Sequence, residues 1–267
     1  MSETARPAVL VHLLPSLIAP GALAGGVAVV VDVLRATTVM VQALAAGCEA
    51  IIPCGEVVEA KALAASLPAG TAFLAGERQG LPIAGFDLGN SPDDFTPEVC
   101  RGKTLVMTTT NGTRAILASL EAEQVGIGAM VNAEAVADWA ASWDRPVHVV
   151  CAGTEGHVSL EDTILAGAIV DRLNGKRRFV HGNDSAVIAA AGYHSSRDEV
   201  RWNAGRIWAQ VLERGRGGRR VREIGLGHDI EAASRWNEIE IVPALQRDPL
   251  RIVAGLSRRV VPRESSR

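Results

Sequence analysis

Apolar and polar positions fall in repeated blocks along this chain: a short β-branched run, a glycine- or threonine-rich turn, then an alanine-rich stretch with helical spacing. The clearest block begins at residues 27–33, VAVVVDV, where apolarity without alternation predicts a strand buried on both faces. Residues 35–46 then predict a helix, ended at Gly47. Further strands are predicted at 50–53 and 72–75, with a helix at 56–66 between them. The block recurs as a strand at 104–108 with a helix at 112–120, and a strand at 125–127 with a helix at 133–142. It recurs again as a strand at 147–151 with a helix at 160–173. Such alternation predicts an α/β fold in three layers, with helices on both faces of a parallel sheet.

The last third departs from this pattern. Helices are predicted at 185–193 and 198–213, the second carrying Trp202 and Trp208. A basic, glycine-rich segment, 214–222, follows, with closing strands at 239–242 and 251–253. The polar tail from Pro262 reads as frayed, so residues 1–262 form the expected folded unit and 263–267 the tail. No low-complexity linker divides the unit. A break near residue 122 would give strand–helix halves 1–122 and 123–262, without a sequence repeat between them.

Composition narrows the classes of function. A length of 267 residues suffices for a sizeable core, and 48% of them are hydrophobic. Only 4% are aromatic, which argues against base-stacking surfaces. A net charge of −3 exerts no general pull toward nucleic acid or an anionic membrane, so neither is an expected partner. The four cysteines, without a Cys-x-x-Cys pair, suit a reducing cytoplasm rather than a disulfide framework. No signal-peptide pattern is seen, and the apolar runs are too short to cross a bilayer.

Four polar segments follow predicted strands, where open α/β sheets bind ligands. Asp32 ends the first apolar run, where an unpaired carboxylate is costly, and it suits a bound Mg²⁺ or attack on phosphorus. Arg35, Thr37 and Thr38 lie at the next helix start, whose free N–H groups suit an oxyanion. An N-cap with an internal ion pair is the plainer alternative. In the second segment Glu77 and Arg78 precede Asn90 and Ser91 on a long loop, and Arg78 can grip phosphate or sulfonate with two parallel bonds. A solvated turn with a Glu–Arg pair is the alternative. The third segment runs Thr108, Thr109, Thr110, Asn111, Gly112, Thr113 and Arg114, placing hydroxyls and backbone donors around one anion unless it merely caps a helix. The fourth holds Gly153, then Glu161 and Asp162 in the first turn of a helix, where acids also stabilise the helix dipole. Oxygen ligands of this kind suit Mg²⁺ rather than Zn²⁺. The six histidines show no zinc spacing, and Cys151 lacks the Cys-x5-Arg pattern of thiolate phosphatases.

Taken in order, these segments resemble the 2-phosphosulfolactate phosphatase family. The strings are residues 32–38, 77–80, 85–92, 108–115, 151–162 and 166–167, with Gly217, Gly218, Arg219, Asp229, Ile230, Val242 and Pro243 toward the end. The likeness covers residues 8–255; Arg214 and Arg216 depart from it, standing where a less basic stretch with a serine is expected. It implies Mg²⁺-dependent hydrolysis of 2-phospho-3-sulfolactate to 3-sulfolactate and phosphate, in the sulfonate branch of coenzyme M biosynthesis.

The expectation is thus a cytoplasmic enzyme with a small polyanionic substrate, forming a homodimer. Asp32, Arg35, Arg78, Glu161 and Asp162 are the expected catalytic groups, with Asp32, Glu161 and Asp162 on the metal. Thr37, Thr38, Glu77, Asn90 and Ser91 are expected at the substrate, as are Thr109, Thr110, Asn111, Gly112, Thr113 and Gly153. Two alternatives stand beside this: a phosphatase for another small phosphorylated acid, and a non-catalytic binder of acidic metabolites. A nucleotide-dependent phosphotransferase is disfavoured, since neither a P-loop nor Gly-x-Gly-x-x-Gly is present.

Overall fold

The computed structural model describes residues 6–175, 179–202 and 208–255. Its strands are β1 (Ala8–His12), β2 (Val27–Val31), β3 (Ala50–Pro53), β4 (Ala72–Arg78), β5 (Leu81–Pro82) and β6 (Thr104–Thr108). β7 (Gln124–Gly128), β8 (Val147–Cys151), β9 (Val180–His181), β10 (Val242–Arg247) and β11 (Leu250–Gly255) complete the sheet. The helices are α1 (Ala36–Ala45), α2 (Val57–Ser66), α3 (Pro97–Cys100), α4 (Gly112–Ala118) and α5 (Ala133–Ala141). They continue as α6 (Leu160–Gly175), α7 (Asp184–Trp202), α8 (Trp208–Leu212), α9 (Arg216–Glu223) and α10 (Gly227–Ser234).

The expected α/β fold is present, with a large and mostly parallel sheet flanked by helices. Residues of β2 show why. All five are buried, Val27, Val29 and Val31 joining α5 and α6 in one core while Ala28 and Val30 join α1 and α4 in another. A strand covered on both faces has no place for a polar alternation, which is why the run reads as continuous.

Strand order is β5-β4-β6-β3-β11-β10-β7-β2-β8-β1-β9. Two parallel groups, β4-β6-β3 and β7-β2-β8-β1-β9, are joined through the antiparallel hairpin β10–β11. Each joint to the hairpin rests on a single register pair, Ala244 with Gly126 and Ile252 with Ile51. β2, from before residue 122, lies between β7 and β8 from after it.

Several elements differ from expectation. β1, β5, β9, α3 and α10 were not predicted, because they are short or lack a clear period. The helix expected at 185–193 runs on to Trp202, and the basic segment, for which no element was predicted, forms the helix α9. The first closing strand lies later than expected, the second contains the expected 251–253, and the two pair as a hairpin. Residues 203–207 of the predicted 198–213 helix, and the tail from Pro262, lie outside the described residues.

Candidate active site

In the strand order the two parallel groups run in opposite senses, yet one cavity collects the carboxyl ends of both. Asp32 follows β2, Glu77 lies in β4, Thr109–Asn111 follow β6, and Thr154 and Glu155 follow β8. The cavity measures about 60 Å³, room for a few waters or one small tetrahedral anion.

Local hydrogen bonds set the Asp32 turn. The Thr37 hydroxyl donates to the Asp32 carbonyl at 2.9 Å and accepts from the Asp32 amide at 2.9 Å. Thr38 Oγ1 donates to the Val33 carbonyl at 2.8 Å. Both threonines therefore brace the start of α1 rather than face the cavity. Ala36 N–H donates to Asp32 Oδ1 at 3.3 Å, and the carboxylate is left at the cavity wall. Gly112 makes that placement possible: a Cβ there would lie 2.5 Å from Ala36 Cβ and 2.9 Å from Asp32 Oδ2.

The threonine loop is tied in the same way. Thr109 and Thr113 exchange hydrogen bonds, each amide donating to the other's hydroxyl at 3.1 Å. Glu77 accepts from Thr110 N–H at 2.7 Å, from Thr110 Oγ1 at 3.2 Å and from Gly80 N–H at 2.7 Å. Asn111 Oδ1 accepts from Glu155 N–H at 3.3 Å, joining the β6 and β8 loops. Asn90 also lines the cavity; it is buried, and its Oδ1 has no partner among the described residues.

The remaining candidates stand back from the cavity. Asp162 accepts from Val33 N–H at 2.9 Å and from Gly153 N–H at 3.0 Å, so both oxygens are engaged in holding the β2 and β8 turns together. Glu161 is buried, with Oε2 unpartnered among the described residues, and α9 packs against it: a Cβ on Gly217 would lie 2.0 Å from Glu161 Oε1. Among the described residues, no group of three His, Cys, Asp or Glu side chains is arranged to hold a metal ion. Asp32, Glu161 and Asp162 therefore do not form a closed cage.

Both expected anion-gripping arginines are engaged inside the protein. Arg35 lies at the cavity wall, but its Nη1 is 2.5 Å from Asp229 Oδ2 and its Nη2 donates to the Gly80 carbonyl at 2.7 Å. Ser91 Oγ donates to the same Asp229 oxygen at 3.0 Å. Arg78 does not line the cavity; it donates to the Glu77 and Gly55 carbonyls and to Thr108 Oγ1.

Sequence reasoning gave no role to α9, which supplies Gly217, Arg220, Val221 and Ile224 to the cavity wall. The available signal was the Gly217, Gly218, Arg219 string, which marked the segment without showing what it packs against.

Burial dominates the electrostatics. It raises the Asp32 carboxyl well above the ordinary carboxylate range, with Asp162 and Glu77 adding repulsion against smaller help from Ala36 N–H and Arg35. Burial also raises Asp162 to about 8, with Glu161 adding to it, and Glu161 to about 7, with Asp32 adding to it. The Cys151 thiol is pushed well above its usual range by burial and by these acids, so it is no thiolate nucleophile. All four cysteines are free and buried.

The fold is that of an α/β protein, with a candidate site where strand carboxyl ends meet. The family model described as 2-phosphosulpholactate phosphatase matches residues 12–248. A relative from Caldanaerobacter subterraneus subsp. tengcongensis is 37% identical over 223 residues, covering 84% of this chain and 89% of its own. Another, from Symbiobacterium thermophilum, is 38% identical, covering 83% and 91%. A third, from Cyanothece sp., is 36% identical, covering 90% and 96%. Each is named "Probable 2-phosphosulfolactate phosphatase". The chain belongs to the 2-phosphosulfolactate phosphatase family, whose activity is that of a phosphoric monoester hydrolase.

Proposed function

We propose that this protein hydrolyses 2-phospho-3-sulfolactate to 3-sulfolactate and phosphate with Mg²⁺ bound, as a step in coenzyme M biosynthesis. The observation that carries this reading is the Asp32 carboxylate in the wall of an anion-sized cavity, facing the threonine loop. The wall holds three carboxylates, Asp32, Glu77 and Glu155, against two guanidinium groups, Arg35 and Arg220. Such a wall repels a phosphate ester unless a cation is added. Mg²⁺ is commonly held by one or two carboxylates together with substrate oxygens and waters, which suits a site without a closed protein cage. Asp32 would hold it, with Glu161 Oε2, buried and unpartnered among the described residues, as a second oxygen of the right chemistry. Bound there, Mg²⁺ supplies charge neutralisation for phosphoryl transfer.

The chain's own groups do the rest. Asn111 offers a donor to the phosphoryl oxygens, while Glu77 and Asp162 fix the loops that surround it. Arg35 and Asp229 lock the β4–β5 turn against α1 and α10. Clustering of Asp32 with Asp162 and Glu77 favours catalysis over metabolite sensing, which needs donors but not inward carboxylates. Four buried free thiols suit a reducing cytoplasm, and a two-fold homodimer is the proposed assembly. Phosphate release from a panel of phosphorylated hydroxy acids, with and without Mg²⁺, tests the reading. Mg²⁺-dependent release, fastest from the sulfonate ester, is expected. Equal release after exhaustive chelation removes the metal from the mechanism, and faster release from another ester reassigns the substrate.

A further inference from the structure

The cavity beside Asp32 adjoins a second, larger basin of about 460 Å³, and the two share Gln79, Thr154, Glu155 and Arg220. The balance of charge reverses between them. The inner wall has three carboxylates against two arginines, whereas the basin has three arginines, Arg216, Arg219 and Arg220, against two carboxylates, Glu155 and Glu223. Arg216 is neutralised by Glu155 at 2.6 Å. Arg219 donates to the Arg214 carbonyl, and Arg220 Nη2 donates to the Gln79 carbonyl at 3.1 Å. Among the described residues, neither Arg219 nor Arg220 is paired with a carboxylate, and Arg220 is the one cation bordering both spaces.

We infer that Arg220 determines specificity by gripping a second anionic group of the substrate, outside the inner cavity that takes the phosphoryl group. This rests on the phosphatase reading above. The substrate class is then a phosphate ester carrying a sulfonate two carbons from the ester oxygen. With the phosphoryl group at the Asp32 end of the inner cavity, the adjoining basin is where a distal anion meets the arginines of α9. Arg35 and Arg78 are not free to receive it, being bound to Asp229 and Gly80 and to Gly55 and Thr108. A guanidinium offers a planar fork matched to two oxygens of a sulfonate or carboxylate, which a lysine does not. Arg220 is held over the mouth in two ways: by its bond to Gln79, and by the packing of Gly217 on Glu161 that seats α9.

The test compares 2-phospho-3-sulfolactate with 2-phospholactate, which lacks the sulfonate, in wild type, Arg220→Gln and Arg220→Lys. Arg220→Gln is expected to lower the ratio of kcat/KM between the two esters by about tenfold or more, mainly through KM for the sulfonate ester, with Arg220→Lys intermediate. A ratio unchanged within about twofold overturns the proposal, because Arg220 would then act on the phosphoryl or carboxylate group that both esters share, or on neither. Calorimetry with 3-sulfolactate gives a second readout that needs no turnover. Its Kd is expected to rise about tenfold in Arg220→Gln, and an unchanged Kd also overturns the proposal. Wild type releasing phosphate from neither ester would refute the phosphatase reading, while the calorimetry would still decide whether Arg220 binds the distal anion.

Discussion

Arg35 and Asp229, 194 positions apart in sequence, meet side chain to side chain with Nη1 2.5 Å from Oδ2 and almost no exposure to solvent. Removing one member of a buried pair strands the other charge, at a cost of about 3–5 kcal/mol. Arg35→Ala is therefore expected to lower Tm by roughly 10 °C for a chain of this size. The apolar double variant Arg35→Met with Asp229→Leu is expected to recover part of that loss, since no lone charge remains. Thermal melts of the three proteins check this. An Arg35→Ala protein with wild-type Tm and lost turnover would return Arg35 to the substrate-gripping role.

A pH-dependent response to metal follows from the carboxylates. Glu161 is raised to about 7 and Asp162 to about 8, chiefly by burial, and Asp32 is raised as well. Groups whose folded values exceed their unfolded ones bind protons more tightly when folded. Their contribution is complete below the unfolded carboxylate value of about 4 and is lost as pH climbs through about 7 to 8. Mg²⁺ favours the ionised forms and offsets that loss. The gain in Tm on adding Mg²⁺ is expected to be larger at about pH 8.5 than at about pH 6, by roughly 5 °C at saturation. Equal gains at both values would separate the metal from these carboxylates.

The histidine pair acts in the opposite direction. His12 Nε2 lies 3.1 Å from His148 Nδ1, both rings buried, and the rings stack at 5.4 Å. Burial lowers both, His148 to about 4 with His12 adding to it. The unfolded chain then binds protons that the folded chain excludes. Stability from this pair is present above about pH 6.5 and lost as pH falls through about 4, on the order of 2–3 kcal/mol for His148. His148→Gln is expected to flatten that acid limb in denaturant titrations, and an unchanged slope would remove His148 as its cause.

What the sequence made legible was local. The run ending in Asp32 reads as a buried strand with an acid at its carboxyl end, because adjacent residues alone decide both facts. The threonine loop is likewise a strand–turn–helix unit. Long-range partners were not legible: nothing near Arg35 announces Asp229, and nothing near Arg78 announces Gly55 or Thr108. The glycines of α9 left the segment without a predicted element, since glycine weakens a helix. Only contacts beyond the helix itself explain them: a Cβ at Gly217 would meet the Glu161 carboxylate, and one at Gly218 the Leu212 carbonyl. The opposed senses of the two parallel groups depend on the β10–β11 hairpin, whose pairing lies far along the chain from the strands it joins.

Asp32→Asn addresses the chemistry most directly. Asp32 is 6% exposed at the end of β2, at the cavity wall, with Gly112 leaving room for its Oδ2. Burial, Asp162 and Glu77 all disfavour its ionised form in the metal-free protein. The substitution keeps the shape and removes the charge, and the hydrogen bond from Ala36 N–H to Oδ1 can persist. Asp32→Asn is expected to fold and, without Mg²⁺ above about pH 7, to melt slightly higher than wild type, because a costly buried charge is gone. Turnover is expected to fall by at least ~10²-fold, the scale for losing a principal charge-stabilising group. Mg²⁺ is also expected to raise its Tm less than that of wild type, which a purely structural role for Asp32 would not produce. Near wild-type phosphate release from the folded Asn protein would refute the assignment. Failure to fold would show instead that the carboxylate serves to anchor α1.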